Sequence, residues 1–305
     1  MGSRVAAIDC GTNSIRLLIA DVDGGTLTDV VRRMEIVRLG QGVDRTGRLA
    51  PEAIERTRVV LADYARQVRS AGAEQVRMVA TSASRDASNA ADFTAMVVGT
   101  LGVTPEVVSG DEEARLSFDG AVRGLPADLP APYLVVDIGG GSTEFVVGSR
   151  SVDRALSVDI GCVRMTERHL HSDPPTAAEI AAAEADITAA VDRALDAVGG
   201  HGAGTLVGLA GSVTTVAAIA LGLDRYDPER IHHARIGCAE VAKVTADLLA
   251  ATRAQRLAMP VMHPGRADVI GAGALILRTI MQRADLDEVV ASEHDILDGI
   301  AWSLR

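Results

Sequence analysis

The sequence predicts an α/β protein of two related lobes, and three observations carry that prediction. The string DCGTNSIRLLIAD, beginning at Asp9, returns as DIGGGSTEFVVGS beginning at Asp137, in register at Asp9/Asp137, Gly11/Gly139, Ser14/Ser142 and Leu17/Phe145. Strand-like and helix-like segments alternate through the first part of the chain. A Pro- and Gly-rich stretch, GLPADLPAP from Gly124 to Pro132, stands just before the second copy and marks a boundary. The expected lobes are residues 1–126 and 127–305, with the last helix free to pack back on the first lobe and a hinge over a cleft between them.

Each copy of the repeat is an apolar run, an Asp, a glycine-bearing turn with a hydroxyl residue, and a second apolar run. That pattern reads as two strands joined by a tight loop. A polar turn region follows the first hairpin from Gly40, and then a segment from Pro51 to Gly72 with Ile54, Leu61, Tyr64 and Val68 near helical spacing. A strand from Val76, a helix from Asp86 to Leu101, a strand from Pro105 and a helix from Asp111 to Arg123 complete the first lobe. The second lobe starts as the first did. It continues with an Ala-rich helix from Thr176 to Val198, a strand from Thr205, a helix opening near Ser212, helices over 238–251 and 266–283, and a short one from Ile296.

Composition narrows the function. A net charge of −11 over 305 residues disfavours a broad nucleic-acid surface, which needs many cationic contacts with phosphates. The apolar stretch from Val5 to Ala20 is interrupted by Asp9, Asn13 and Arg16, so it is neither a signal peptide nor a membrane span. Cys10, Cys162 and Cys238 are odd in number and widely spaced, which favours a reducing compartment, and a cytoplasmic protein is expected. His169 and His171, His232 and His233, and the separate His263 and His294 lack the i,i+4 spacing of metal ligands and read as surface imidazoles.

The chemistry concentrates in the turns. Consecutive Gly139, Gly140 and Gly141 cost backbone entropy, so a bare backbone is wanted there, one whose N–H groups can cradle an anion. Asp137 and Glu144 flank that loop, and a hairpin brings both carboxylates towards one hard cation such as Mg²⁺. In the first copy Arg16 stands where Glu144 does, so the loops are not equivalent. Asp9, Gly11, Thr12, Asn13 and Ser14 there offer backbone and hydroxyl groups, while Arg16 either faces the loop or points to solvent. Asp111, Glu112 and Glu113 open a helix, where they either favour the helix dipole or supply a carboxylate that accepts a proton from water. Arg85 in ATSASRDA, and Gly211, Ser212 and Thr214 in GLAGSVTT, lie at strand-to-helix turns that bind phosphate or are simply capped.

Taken in order, DCGTNS, ATSASR, SGDEEARLSF, DIGGGSTE and GLAGSVTT resemble the exopolyphosphatase/guanosine pentaphosphate phosphatase (Ppx/GppA) family across essentially the whole chain. The resemblance implies two ribonuclease-H-like lobes of the actin, sugar-kinase and heat-shock-ATPase superfamily. It implies hydrolysis of a terminal phosphoanhydride of inorganic polyphosphate, or of guanosine pentaphosphate as the alternative, with no nucleic-acid or membrane partner and with a homodimer compatible with the family. By the same resemblance Glu113 is the base that activates water, Asp137 and Glu144, with Asp9, are the ligands of Mg²⁺ (or Mn²⁺), and Gly139, Gly140, Gly141 and Ser142 bind phosphate. Arg85 resembles the phosphate-contacting Arg, and Gly11, Thr12, Asn13 and Ser14 hold phosphate from the other lobe, with Gly211 and Ser212 as a further contact. The extra C-terminal helical region of long family members is not matched, so short chains are the expected substrate. A superfamily kinase would leave the EEAR segment without a role, and a non-catalytic regulator would not need the three carboxylates Glu113, Asp137 and Glu144.

Overall fold

The computed structural model describes residues 3–304. Along the chain run β1 (Ser3–Cys10), β2 (Ser14–Asp23), β3 (Thr26–Ile36), α1 (Val43–Thr46), α2 (Pro51–Ala71), β4 (Gln75–Ala80), α3 (Ser82–Asp86), α4 (Ala90–Leu101), β5 (Glu106–Val107) and α5 (Gly110–Val122). Then come β6 (Tyr133–Ile138), β7 (Thr143–Gly148), β8 (Val152–Val158), α6 (Cys162–His169), α7 (Ala177–Val198), β9 (Thr205–Leu209), α8 (Ala210–Ala220) and α9 (Pro228–Ile231). The last are β10 (Arg235–Gly237), α10 (Cys238–Ala250), α11 (Arg253–Leu257), α12 (Ile270–Ala284), β11 (Glu288–Ala291) and α13 (Ile296–Trp302). These elements form two compact units, Met1–Gly120 with Ile296–Arg305, and Ala121–Asp295.

The first unit holds a five-stranded sheet in the order β3-β2-β1-β4-β5. Strands β1, β2 and β3 are antiparallel neighbours, and β4 and β5 run parallel to β1. One face of the hairpin, with Ile8, Cys10, Ile15 and Leu17, packs on Leu61 and Tyr64 of α2 and Phe93 and Val97 of α4. The other face, with Val5, Ala7, Leu18 and Ala20, packs on Leu116 of α5 and Ile296, Leu297 and Ile300 of α13. Both faces are covered, so the strands read as continuous apolar runs instead of alternating ones. Helix α13 is tied to the sheet by Arg32, whose Nη2 donates to Asp298 Oδ1 at 2.5 Å. Asp298 is only 1% exposed.

The second unit holds a six-stranded sheet in the order β10-β11-β9-β6-β7-β8. Its segment β8-β7-β6-β9-β11 repeats the first sheet's order, with β6, β7 and β8 antiparallel and β9 and β11 parallel to β6. Leu134, Val136, Ile138, Phe145 and Val147 face a core built with α7, α8 and α12 through Ile187, Val191, Val216 and Leu275. Helix α7 opens with a capping box in which Thr176 accepts from the Glu179 N–H and the Glu179 side chain returns to the Thr176 N–H.

Several boundaries differ from the sequence-based expectation. The helix expected from Asp86 begins at Ala90, with Ser82–Asp86 a separate short helix ended by the extended backbone of Ala87, and the helix expected from Arg266 begins at Ile270. Strands β3 and β8 and helix α6 carry no signal strong enough to be assigned, since β3 and β8 are edge strands that alternate exposed charges with half-buried apolar residues. By contacts the first unit ends at Gly120, within α5, ahead of the Pro/Gly stretch, and it takes in α13. Replacing Arg32 by Met removes the cation facing buried Asp298 and is expected to cost about 3 kcal/mol of unfolding free energy. A melting temperature unchanged by the substitution would show that this pair does not hold α13.

Candidate functional site

Strands β1, β4 and β5 are parallel, so their C-terminal ends share one edge of the first sheet, the edge where open α/β sheets bind ligands. The loop after β1, the turn Thr81–Arg85 and the start of α5 meet there. Gly11 N–H donates to Ser14 O at 2.9 Å, closing the loop, and the Thr12 and Ser82 hydroxyls lie 2.8 Å apart, both buried. Arg85 Nη1 donates to Val108 O at 2.9 Å and to Glu113 Oε2 at 3.0 Å. The sheet edge thus joins the expected phosphate-contacting Arg to the expected base. Glu113 lies in the first turn of α5 and is 8% exposed.

Strands β6, β9 and β11 place their C-terminal ends along one edge of the second sheet in the same way. Asp137 and Glu144 are register partners across β6 and β7, as Asp9 and Arg16 are across β1 and β2. Register partners project from the same face of a sheet. In the first unit that geometry makes an ion pair: Arg16 Nε and Nη2 donate to Asp9 Oδ2 at 3.0 and 2.8 Å. Arg16 therefore does not point to solvent. In the second unit the same geometry sets two buried carboxylates side by side, and Ser157 Oγ donates to Glu144 Oε1 at 2.8 Å from the next strand.

The direction of the loop amides follows from what holds the loop carbonyls. Gly139 O accepts from Cys162 N–H, and Gly140 O accepts from Val163 and Arg164 N–H, all at the start of α6. In a trans peptide the N–H of the next residue points opposite to the carbonyl. The N–H groups of Gly140 and Gly141 are therefore turned away from α6, as a cradle for an anion requires. In the first unit, Thr12 O accepts from Gly40 N–H, and Asn13 O accepts from Val37 and Arg38 N–H, which turns Asn13 and Ser14 N–H away from that segment. Gly139 N–H donates to Ser142 O at 3.1 Å, as Gly11 does to Ser14. The Gly11 and Gly139 N–H groups thus close their turns, and the outward-facing amides begin at later residues of each loop.

Two glycines that the repeat does not contain complete the device. A Cβ on Gly161 would overlap the Gly140 backbone, and one on Gly40 would overlap the Thr12 side chain, so each glycine packs behind the same position of its loop. The signal was present in the sequence: VRLG from Val37 and VDIG from Val158 are a second repeat. Its spacing differs from that of the hairpins because β7 and β8, with 6 and 7 residues, are both shorter than β2 and β3, with 10 and 11.

The GLAGSVTT turn is built differently. Ala210 has φ 67°, in the left-handed region that a side chain enters at a cost of about 1–2 kcal/mol, and it turns β9 sharply into α8. The Arg266 guanidinium lies directly on Gly211, where a Cβ would overlap it, and its Nη1 donates to Thr215 Oγ1 at 3.2 Å. Arg266 is a cation at this edge that no motif announced. Ser212 is 6% exposed and packs against Gly273 of α12 and the Cys162 thiol, whose pKa burial pushes up while Ser212 opposes the shift. Tyr226 Oη donates to Glu293 Oε1 at 2.6 Å and lies 2.7 Å from Thr214 Oγ1. The imidazoles of His232, His233 and His294 are half-buried and stacked, with ring centroids 3.6 and 4.5 Å apart, and are not surface groups. Segments far apart in sequence bring them together.

Among the described residues no three His, Cys, Asp or Glu side chains form a metal-holding group. Of the expected metal ligands, Asp137 and Glu144 are partners in the second sheet, while Asp9 in the first is paired with Arg16 through Oδ2. Two hard oxygen donors beside a loop of amide groups fit Mg²⁺, which is commonly held by one or two carboxylates with water and substrate phosphate completing its shell.

Residues 18–304 match the model of the Ppx/GppA phosphatase family. The chain belongs to that family. It is 53% identical to exopolyphosphatase 2 of Mycobacterium tuberculosis, over 99% of this chain and 98% of that one. Among solved structures, one described as an exopolyphosphatase-like protein superposes with a TM-score of 0.97 at 43% identity, covering 99% of this chain and 98% of the other. The Aquifex aeolicus Ppx/GppA family member superposes with a TM-score of 0.83 at 31% identity, covering 100% and 98%. The family's two-lobe α/β fold is thus that of this chain, and no helix among the described residues is long and apolar enough to cross a membrane.

Gly161→Ala forces the Gly140 backbone to move and is expected to weaken orthophosphate binding by on the order of 10²-fold, the cost of a displacement near 1 Å at such a site. Isothermal titration reads the change, and unaltered affinity would separate the loop from the anion.

Proposed function

We propose that the protein is an exopolyphosphatase that releases terminal orthophosphate from inorganic polyphosphate, with short chains as its substrates. The observation that carries this reading is the row of loop amides turned one way beside the in-register pair Asp137 and Glu144. Phosphoryl transfer asks chiefly for positioning and charge neutralisation, and these groups supply both. The similarity to exopolyphosphatase 2 over nearly the full length of both chains supports the substrate class. The net charge of −11 disfavours a long polyanion track and supports short chains.

Glu113 takes the proton of a water whose oxygen attacks the terminal phosphorus. The bridging P–O bond breaks, and the products are orthophosphate and a chain shorter by one phosphate. Arg85, already bonded to Glu113, orients that carboxylate and offers its remaining N–H groups to a phosphate oxygen. The N–H groups of Gly140, Gly141, Asn13 and Ser14 hold phosphate oxygens, and Asp137 and Glu144 hold Mg²⁺. When bound, Mg²⁺ neutralises charge on the phosphate oxygens. Gly211 contributes its own N–H with the Arg266 cation beside it, and the Ser212 hydroxyl serves packing.

Glu113→Gln is expected to lower kcat by on the order of 10²-fold with KM little changed, the usual scale of general-base assistance. An unchanged kcat removes Glu113 from the role. The function is tested by phosphate release from short polyphosphate, long polyphosphate, guanosine pentaphosphate and ATP, each with Mg²⁺ and with a chelator. Short polyphosphate is expected to be cleaved fastest and only with the metal. Faster release from guanosine pentaphosphate would make the protein a pentaphosphate phosphohydrolase, and release that survives chelation would remove the metal.

A further inference from the structure

The carbonyls of Thr12, Asn13, Gly139 and Gly140 are held by main-chain N–H groups, whose positions the surrounding backbone fixes. Gly141 is different. Its carbonyl is held by a side chain, with Arg164 Nε donating at 2.6 Å. The Arg164 side chain is 11% exposed and also approaches Asp159 at 3.9 Å. Glycine has little steric preference, so the peptide between Gly141 and Ser142 rotates cheaply, and its orientation is set by whatever grips it.

We propose that Arg164 is a positioning residue of the phosphate cradle. The inference rests on the reading of this loop as phosphate-binding. By holding the Gly141 carbonyl towards α6, Arg164 turns the Ser142 N–H outward to join those of Gly140 and Gly141, making a row of three donors. It acts through the loop and need not touch the substrate. The residue lies in the first turn of α6, in the sequence GCVRM, outside the motifs that point to the site.

Two variants separate this role from a merely structural one. In Arg164→Gln the side-chain amide nitrogen falls at the chain position of Nε, so a donor remains without the charge. Arg164→Met fills the same length with no donor. With 15N-labelled protein and orthophosphate as the probe, the Ser142 amide resonance is expected to shift on titration in the parent and in R164Q, and not in R164M. With short polyphosphate, kcat/KM is expected to fall on the order of 10²-fold in R164M, the scale of one lost transition-state donor, and to recover to within about tenfold of the parent in R164Q. A role in stability alone lowers both melting temperatures and leaves the Ser142 response alike in the two variants.

Equal losses in R164Q and R164M, or a Ser142 response intact in R164M, would overturn the proposal. If R164M does not fold, Arg164→Ala with and without added ethylguanidine gives the same contrast. A parent Ser142 amide indifferent to orthophosphate overturns the cradle, and Arg164's role with it. A responsive Ser142 amide in a protein that releases no phosphate from polyphosphate overturns the assigned reaction and leaves the Arg164 proposal standing.

Discussion

The hydrogen bonds that tie the carbonyls of Gly139, Gly140 and Gly141 to the start of α6 fix which way the opposite ends of those peptides face, and the second unit's chemistry depends on that. A loop of consecutive glycines has no conformational preference strong enough to hold amides in a row. Rigidity is supplied from behind by α6, by the contact that leaves no room for a side chain at Gly161, and by β8, which delivers the chain to that point. The core beneath β6 and β7 has the corresponding task of holding the hairpin in register, which it does through Val136, Ile138 and Phe145.

The two units use one backbone device for two electrostatic ends. Register places residue nine of the chain opposite Arg16 and, in the second unit, Asp137 opposite Glu144. A guanidinium against a carboxylate balances its charge within the protein, here through two bonds to the one oxygen Oδ2. Two carboxylates and a hydroxyl on one face concentrate negative charge, an arrangement that favours a divalent cation or a proton. A single side-chain difference at one ladder position therefore separates a structural ion pair from a candidate metal centre, with the backbone almost unchanged.

Much of this was legible in the sequence. The hairpin repeat, the alternation of strands and helices and the family motifs are local, and local patterns survive in one dimension. The strands β3 and β8 and helix α6 were not legible, because their burial is one-sided and their contribution is made through N–H groups that carry no residue identity. Arg266 and the stacked His232, His233 and His294 were missed for another reason: each meets its neighbours only across long sequence separations. The direction of Arg16 was left open because its side chain could have pointed either way, and only register decides.

Helix α13 belongs to the first unit although the chain reaches it only after passing through the second. The second unit is one continuous stretch, Ala121–Asp295, whereas the first is closed by residues that follow the second in sequence. On the ribosome, where synthesis proceeds at roughly 5–20 residues per second, the order of completion is therefore inverted relative to the order of the sequence. The hairpin with Asp9 and Arg16 waits, its Val5, Ala7 and Leu18 face covered only in part by Leu116 of α5, until Ile296, Leu297 and Ile300 emerge. Until then part of that apolar face stays open to water or to a chaperone.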